Sequence, residues 1–558
     1  MEFFKNAPRP DPNSVLRYIS ELSQFHRIQG SEELVRAAEF VAEEVSDFGV
    51  DVKILKDRYD GRRWHLTLKS PIAWNPIWGE LVFDNRRLTT NESPLLVMAH
   101  SPGGEMKGKL LPVLRDDDWK RAEGKVVLVG EDWRNAYRRA NLAGASGFIA
   151  YRKGTGEFYP YIGLFLTKDD LKWARIPAFT VPEAIAEELM RRAFSGGVAI
   201  RGTVQANVKG REVLPMVYAK TGEPPYLLFT AHICHPKPGA NDNASGSALL
   251  MELARILEKA KKERFGYAFL WIPEYHGSQA FAERVQLEEY YAGVNLDMVG
   301  GSVDRSGSTL MLIRTPFSRF SLISGLLETA IEHINVRGES FSGSPLPLMP
   351  FKAYPYEMGS DHDVFNILGI PAAMPITWPD RYYHSSGDTL DRISGETLLL
   401  IGRAVLSLAV FLSEGNSSVI ERMARGYMKR ILGEVEIRNR LRESEGLLKR
   451  GLARDMTFLG ISSEVDELSI EPWLEWKKRG VLSEGFIKAR NRELAREFSR
   501  LTREKAVLTH LHELLMLGEI LPEERAYAAL REEYGKIEEE KLERLVGILE
   551  DANVVSAH

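Results

Sequence analysis

A single cysteine, Cys234, stands in the 558-residue chain, so no intrachain disulfide can form and a reducing compartment is expected. Neither charge sign dominates: 73 Lys and Arg against 78 Asp and Glu leave a formal net charge of −5, which argues against a generally nucleic-acid-binding surface. No run of about 18 apolar residues stands out, and the amino terminus, MEFFKNAPRPDPNS, has no basic segment followed by an apolar stretch. These absences predict a cytoplasmic protein with no membrane partner. Proline is scarce in one region, where residues 416–558 hold only 2 of the chain's 27. That region is instead crowded with Glu, Arg, Lys and Leu, the composition of helices.

The length exceeds the roughly 250–300 residues at which one hydrophobic core stops growing, so two to four domains are expected. In GSEELVRAAEFVAEEVSDFGV, residues Leu34, Ala37, Ala38, Val41, Val45 and Phe48 recur at helical spacing before Gly49, which predicts an amphipathic helix. From about 66 to 212 the chain is rich in Gly, Pro and short strand candidates. Within it GKVVLVG (124–130), NAYRRANLAGA (135–145) and SGFIAYR (146–152) give strand, helix, strand, and RIPAFTV (175–181) adds a strand. From 213 to about 415 strand and helix patterns alternate, which predicts an α/β, helix-flanked sheet. We therefore divide the chain into a first domain made of 14–66 and 213–415, an inserted β-rich domain at 67–212, and a helical carboxyl-terminal domain at 416–558. The last of these offers three short helices punctuated by Gly518, Pro522 and Gly535, a pattern compatible with a winged-helix arrangement or with plain packing and homo-oligomerisation.

The chemistry concentrates in the alternating segment. Six of the twelve histidines fall between His232 and His384, and five polar stretches each end or follow a strand candidate: AHICHPKPGANDNASG, WIPEYHGS, NLDMVGG, MGSDHDVF and RYYHSSGDTLD. In open α/β sheets ligands bind outside the carboxyl ends of the strands. Imidazoles and carboxylates gathered there suit a catalytic zinc, which takes neutral nitrogen and anionic oxygen donors and keeps one position for water. Metal-assisted hydrolysis is the chemistry these pieces imply. By contrast, HELLM at 512 lacks the second His of H-E-x-x-H and is read as structural, as are His276 and His333.

The ordered set AH…NDNASG, PE..GS, NLDMVG, GSDHDVF and YYHSSGDTLD resembles the zinc peptidases of the aminopeptidase Y and glutamate carboxypeptidase type, over roughly residues 14–415. Within that superfamily the chain is similar to members carrying HICHP and PE..GS. The inserted segment resembles a protease-associated domain, chiefly in GKVVLVG and AGASGFIAY. The resemblance implies a helix-flanked mixed sheet of the zinc-exopeptidase kind, one or two zinc ions or another divalent transition metal, and a peptide substrate. It further implies His232, Asp242, Asp297 and His384 as metal ligands, with Asp242 bridging two ions and Asp388 orienting His384 from behind. Glu274 is implied as ligand or general base, and His362, Tyr382 or Tyr383 as donors to a developing oxyanion.

Two positions depart from the relatives' pattern. Where they carry His-x-Asp, this chain has Cys234 with His235 beside it, so Cys234 is a packing residue or His235 an additional ligand. Where they carry adjacent glutamates, it has Pro273 and Glu274, so a second carboxylate is needed, with Glu357, Asp361 and Asp363 as candidates. The expected activity is that of a zinc exopeptidase, an aminopeptidase by preference. The alternatives are a carboxypeptidase, for which Arg314 or Arg381 would hold the substrate carboxylate, a glutaminyl-cyclase-like acyltransferase, or a non-catalytic peptide-binding protein.

Overall fold

The computed structural model describes residues 7–208, 210–439, 442–462 and 469–558. Eight strands form its central sheet: β1 (Asp51–Asp57), β2 (Leu214–Thr221), β3 (Tyr226–His232), β4 (Gly266–Ile272), β5 (Tyr290–Asn295), β6 (Thr309–Ile313), β7 (Phe351–Tyr354) and β8 (Ala372–Trp378). Their order is β1-β2-β4-β3-β5-β8-β6-β7. Strands β4, β3, β5 and β8 pair in parallel, whereas β1 with β2, β2 with β4 and β8 with β6 are antiparallel, so the sheet is mixed. Every residue of β3, β4 and β5 is buried. Runs such as YLLFTAH and GYAFLWI, apolar without alternation, suit strands covered on both faces.

Five helices of this part are α1 (Pro12–Leu22), α2 (Glu32–Ser46), α3 (Gly246–Glu258), α4 (Leu322–Ile334) and α5 (Gly395–Glu414). The start of α2 is set by Ser31, whose hydroxyl accepts the Leu34 amide at 3.1 Å, and its stripe Leu34, Ala37, Ala38, Val41 and Val45 is buried. Helix α5 corrects one expectation from the sequence. By length and composition it is apolar enough to cross a membrane, but 72% of its most apolar window is buried within the protein, as in the core helix of a sheet domain.

Between β1 and β2 the chain leaves to build a separate seven-stranded sheet, from Asn75–Phe83 to Ala199–Asn207. The strand-helix-strand pattern of the insert appears as Val126–Val129, Trp133–Leu142 and Gly147–Ala150, followed by strand Ala178–Thr180, with these three strands parallel.

The carboxyl-terminal region holds α6 (Ser417–Asn439), α7 (Glu443–Phe458), α8 (Lys505–Gly518), α9 (Glu523–Tyr534) and α10 (Glu539–Asp551). It is not purely helical, because Leu474–Trp476 pairs with Val555–Ala557. Polar contacts lock it to the sheet domain. Arg314 lies between Glu328 (2.9 Å) and Glu434 of α6 (2.7 Å), and Asp455 of α7 accepts the Leu322 amide (2.6 Å) and the Ser321 hydroxyl (2.9 Å) at the start of α4. His512, from HELLM, accepts the Leu482 amide at 3.0 Å, a packing role.

Candidate metal centre

Strand order brings the ligand-rich loops together. Because β3 lies between β4 and β5 in parallel, the segments leaving their carboxyl ends meet around one crevice. His232 ends β3, Glu274 follows β4, Asp297 follows β5, and His384 lies in the turn after β8. The side chains of His232, Glu274 and Asp297 offer ligand atoms within 4.8 Å of one another, and those of His235, Asp242 and His384 do the same. Asp242 joins the groups: its Oδ1 is 3.4 Å from His232 Nε2, and its Oδ2 is 3.2 Å from His235 Nε2 and 3.1 Å from His384 Nε2. Asp297 Oδ1 stands 3.4 Å from His232 Nε2. Bonds of about 2.0–2.2 Å to a tetrahedral ion would space its ligands about 3.3–3.6 Å apart, close to these separations.

The donors themselves fit a divalent cation. His232 Nδ1 is 3.0 Å from the Cys234 carbonyl and His235 Nδ1 is 3.0 Å from the Pro236 carbonyl. With Nδ1–H donating outward in each ring, Nε2 keeps its lone pair facing the cluster. His235 Nε2 and Asp297 Oδ1 are buried and make no hydrogen bond, despite their charged neighbours. Charge balance points the same way. Burial lifts the Glu274 carboxyl well above its ordinary value, and Asp297, Asp361 and Asp242 add to the rise against His232. Burial depresses His232, yet the Asp297 carboxylate outweighs it and leaves the ring well above the usual imidazole range. Asp242 is held well below the carboxylate range, because His235 and His384 overcome the effect of its burial. Positive charge is what the cluster needs.

A lattice of hydrogen bonds fixes Asp242, which lies between the two groups of candidate ligands. Asp388 accepts the backbone N–H of Asn241 (2.7 Å) through one oxygen and that of Asp242 (2.9 Å) through the other. It therefore holds the Asp242 loop rather than His384, a different role from the one its spacing implied. Asn243 Oδ1 accepts from Met298 N (3.1 Å) and its amide donates to the Leu296 carbonyl (2.9 Å), which ties the Asp242 loop to the Asp297 loop. Asp361 accepts from Tyr275 N (2.8 Å) and Ser278 Oγ (2.6 Å) and so holds the turn that carries Glu274. Burial pushes the Asp361 carboxyl up to about 6. Arg27, wholly buried, donates to the carbonyls of Ile233 (2.7 Å) and Gly239 (3.2 Å) at both ends of the HICHPKPG loop. Strain is concentrated here too: Tyr275, Met298 and His384, two of which directly follow ligand candidates, have φ of +57°, +51° and +51°.

Cys234 brings no carboxylate to the cluster. Its carbonyl takes His232 Nδ1–H, and its buried Sγ accepts the Glu274 amide (3.1 Å) and Gln29 Nε2 (3.4 Å). His235 enters the cluster instead. Tyr383 stacks on His384 at 3.8 Å and faces the same cavity as the cluster. His362 does not: it is buried against Tyr356, with Nε2 3.0 Å from the Glu357 carbonyl, and lines neither cavity at the cluster. Tyr382 packs on Phe158 and Arg392. Glu357 lies at a cavity wall, paired at 3.0 Å with Lys505 of α8. Arg314 and Arg381 line neither cavity.

Two cavities open from the cluster. One, about 180 Å³, has apolar walls of Met298, Met311, Ile313, Met374, Ile376 and Trp378. The other, about 570 Å³, is walled by the insert through Arg134, Arg152 and Tyr161, and by Glu484 of the carboxyl-terminal region. Glu274 and His384 line both. Tyr161 was not foreseen. Its amide donates to the His384 carbonyl at 2.6 Å, and its ring meets His235 and His384 edge-on at 5.2 and 5.1 Å.

A mixed α/β sheet with paired imidazole-carboxylate clusters at its parallel strand ends defines a candidate metal-binding class of site. Residues 213–409, about a third of the chain, match the family model of peptidase family M28. Aminopeptidase YwaD of Bacillus subtilis (strain 168) is 28% identical over 194 residues, which span 33% of this chain and 40% of that relative's length. Among solved structures, BSAP, a zinc aminopeptidase from Bacillus subtilis, superposes with a TM-score of 0.54 at 20% identity over 72% of this chain and 95% of its own. The peptidase M28 precursor from Shewanella amazonensis SB2B superposes at 0.50 with 16% identity, over 73% and 98%. These two share the fold.

Proposed function

We propose that the chain is a zinc-dependent aminopeptidase whose scissile bond lies over Glu274 and His384. The carrying observation is that these two side chains alone among the cluster belong both to a small cavity, walled on one side by Met and Ile side chains, and to a large one. A cavity of about 180 Å³ holds roughly six waters' volume at ~30 Å³ each, which suits one amino-acid side chain rather than a peptide. It takes the amino-terminal residue. The larger cavity takes the rest of the substrate, and Arg134 and Arg152, neither within ion-pair distance of a carboxylate among the described residues, favour an anionic departing peptide. His232, His235, Asp242, Asp297 and His384 would hold one or two zinc ions. Zinc bound there supplies Lewis acidity and lowers the pKa of a coordinated water to about 7. Glu274, kept basic-leaning by its burial and then by its carboxylate neighbours, takes the proton of the attacking water and passes it to the leaving amine. Tyr383 donates a hydrogen bond to the oxygen that gains charge.

The inserted domain, protease-associated in character, supports this reading by supplying Tyr161 and the wall of the larger cavity. The single cysteine supports a cytoplasmic location. The test uses zinc-loaded protein and peptides with free, acetylated and carboxyl-amidated ends. Release of an apolar amino-terminal residue from free amino termini only, abolished by Glu274→Gln and by chelation, is expected. Equal cleavage of acetylated peptides would refute the aminopeptidase reading.

A further inference from the structure

A third cavity, about 410 Å³, lies away from the metal centre, where the sheet domain meets α7 and the start of the turn after α8. Four guanidinium groups line it: Arg319 from the sheet domain, Arg450 and Arg454 from α7, and Arg479 from the segment beyond. One carboxylate, Glu519, belongs to its wall. That carboxylate is already taken by Arg479, which donates from Nε (3.0 Å) and Nη2 (2.6 Å), and lies 3.4 Å from Arg319 Nη2. Arg454 turns one nitrogen to the Tyr291 carbonyl (2.7 Å) and another toward Asp455 (3.4 Å). Arg319 Nε and Arg450 Nη1 are buried with no hydrogen-bond partner. Buried guanidinium nitrogens are costly unless paired, and here cations outnumber their partners. Burial lowers both arginines from their ordinary value, and Arg479 and Arg450 act on Arg319 in the same direction.

We propose that this cavity binds a small tetrahedral dianion, a phosphate group, at the joint between the peptidase and carboxyl-terminal domains. Guanidinium forks converging from three segments match an acceptor with several oxygens spread in three dimensions better than a planar carboxylate. The volume exceeds what a bare phosphate fills, so a small phosphomonoester fits as well as the free ion.

The test titrates full-length protein calorimetrically with inorganic phosphate at constant ionic strength in chloride, and separately with glycerol phosphate and with citrate. Saturable binding of phosphate is expected, weakened at least about tenfold by Arg450→Met. Competition by glycerol phosphate assigns the site to an ester; phosphate binding without such competition assigns it to the free ion. In phosphate-free buffer Arg450→Met is expected to melt no lower than the parent, because it removes a half-buried charge that has one buried nitrogen without a partner. Arg479→Gln, at a more exposed position, provides a second variant with the same expected loss of binding. No saturable binding, equal binding by both variants, or preference for citrate over phosphate would overturn the proposal.

Discussion

Replacing Asp388 by Asn tests how Asp242 is held. Each Asp388 oxygen accepts one buried backbone N–H, from Asn241 at 2.7 Å and from Asp242 at 2.9 Å. Asparagine keeps one acceptor and sets an NH₂ against the other amide, so one hydrogen bond is lost and a buried donor is stranded. That loss is about 1.5–3 kcal/mol. Falling on the backbone of Asp242 itself, it displaces the carboxylate that reaches both ligand groups. Converted at about 1.4 kcal/mol per tenfold, it weakens metal binding by roughly 10–150-fold, in line with the ~10–100-fold effect of outer partners of metal ligands. The assay is competition for zinc with a chromogenic chelator, alongside circular dichroism to establish folding. A folded variant whose zinc affinity stays within about threefold of the parent would refute the reasoning. The loop would then be held by Asn243 and by Ser245, whose hydroxyl donates to the Asn241 carbonyl at 2.6 Å.

Tyr383→Phe should lower kcat by about 10²–10³ with little change in KM, read from initial rates on an amino-terminal leucine substrate, if its hydroxyl serves the charged oxygen. Cys234→Ala strands the Glu274 amide that Sγ accepts at 3.1 Å, so urea unfolding should report a loss of about 1–3 kcal/mol. Glu513 of α8 accepts the Ser318 amide (2.9 Å) and hydroxyl (2.6 Å), and burial pushes its carboxyl up to about 7. Its folded value lies above the unfolded one of about 4.3, so its contribution is complete below that pH and is lost as pH rises through 7. Glu513→Gln should therefore flatten the decline of melting temperature across that range, and an unchanged profile would contradict the assignment.

Much of the peptidase part was legible from sequence because its signals are local. Buried strands betray themselves as unbroken apolar runs, and the stretches NDN, NLDM and YYHSS each carry a candidate ligand that the strand ends bring into one cluster. What escaped was set by distant contact. Spacing placed Asp388 beside His384, yet its oxygens face the backbone of residues 241 and 242, more than a hundred positions away. Cys234 sat where a carboxylate was expected, and only the fold reveals that a main-chain carbonyl replaces it. Tyr161, in the run YPYIG of the insert, has neither periodicity nor charge to mark it. The arginines at the larger cavity, Arg134 and Arg152, likewise come from the insert, whereas sequence reasoning looked for them at Arg314 and Arg381.

Because Tyr161 is bonded to His384 and because Glu484 and Lys505 belong to the walls of the two cavities, the insert and the carboxyl-terminal region both shape the space around the candidate metal centre. During synthesis the candidate zinc-holding groups have all emerged once His384 leaves the ribosome, but the cavity walls stay unfinished until Glu484 and Lys505 follow. Trimming either the insert or the carboxyl-terminal region would therefore remove part of the cavity walls while leaving every candidate ligand in place.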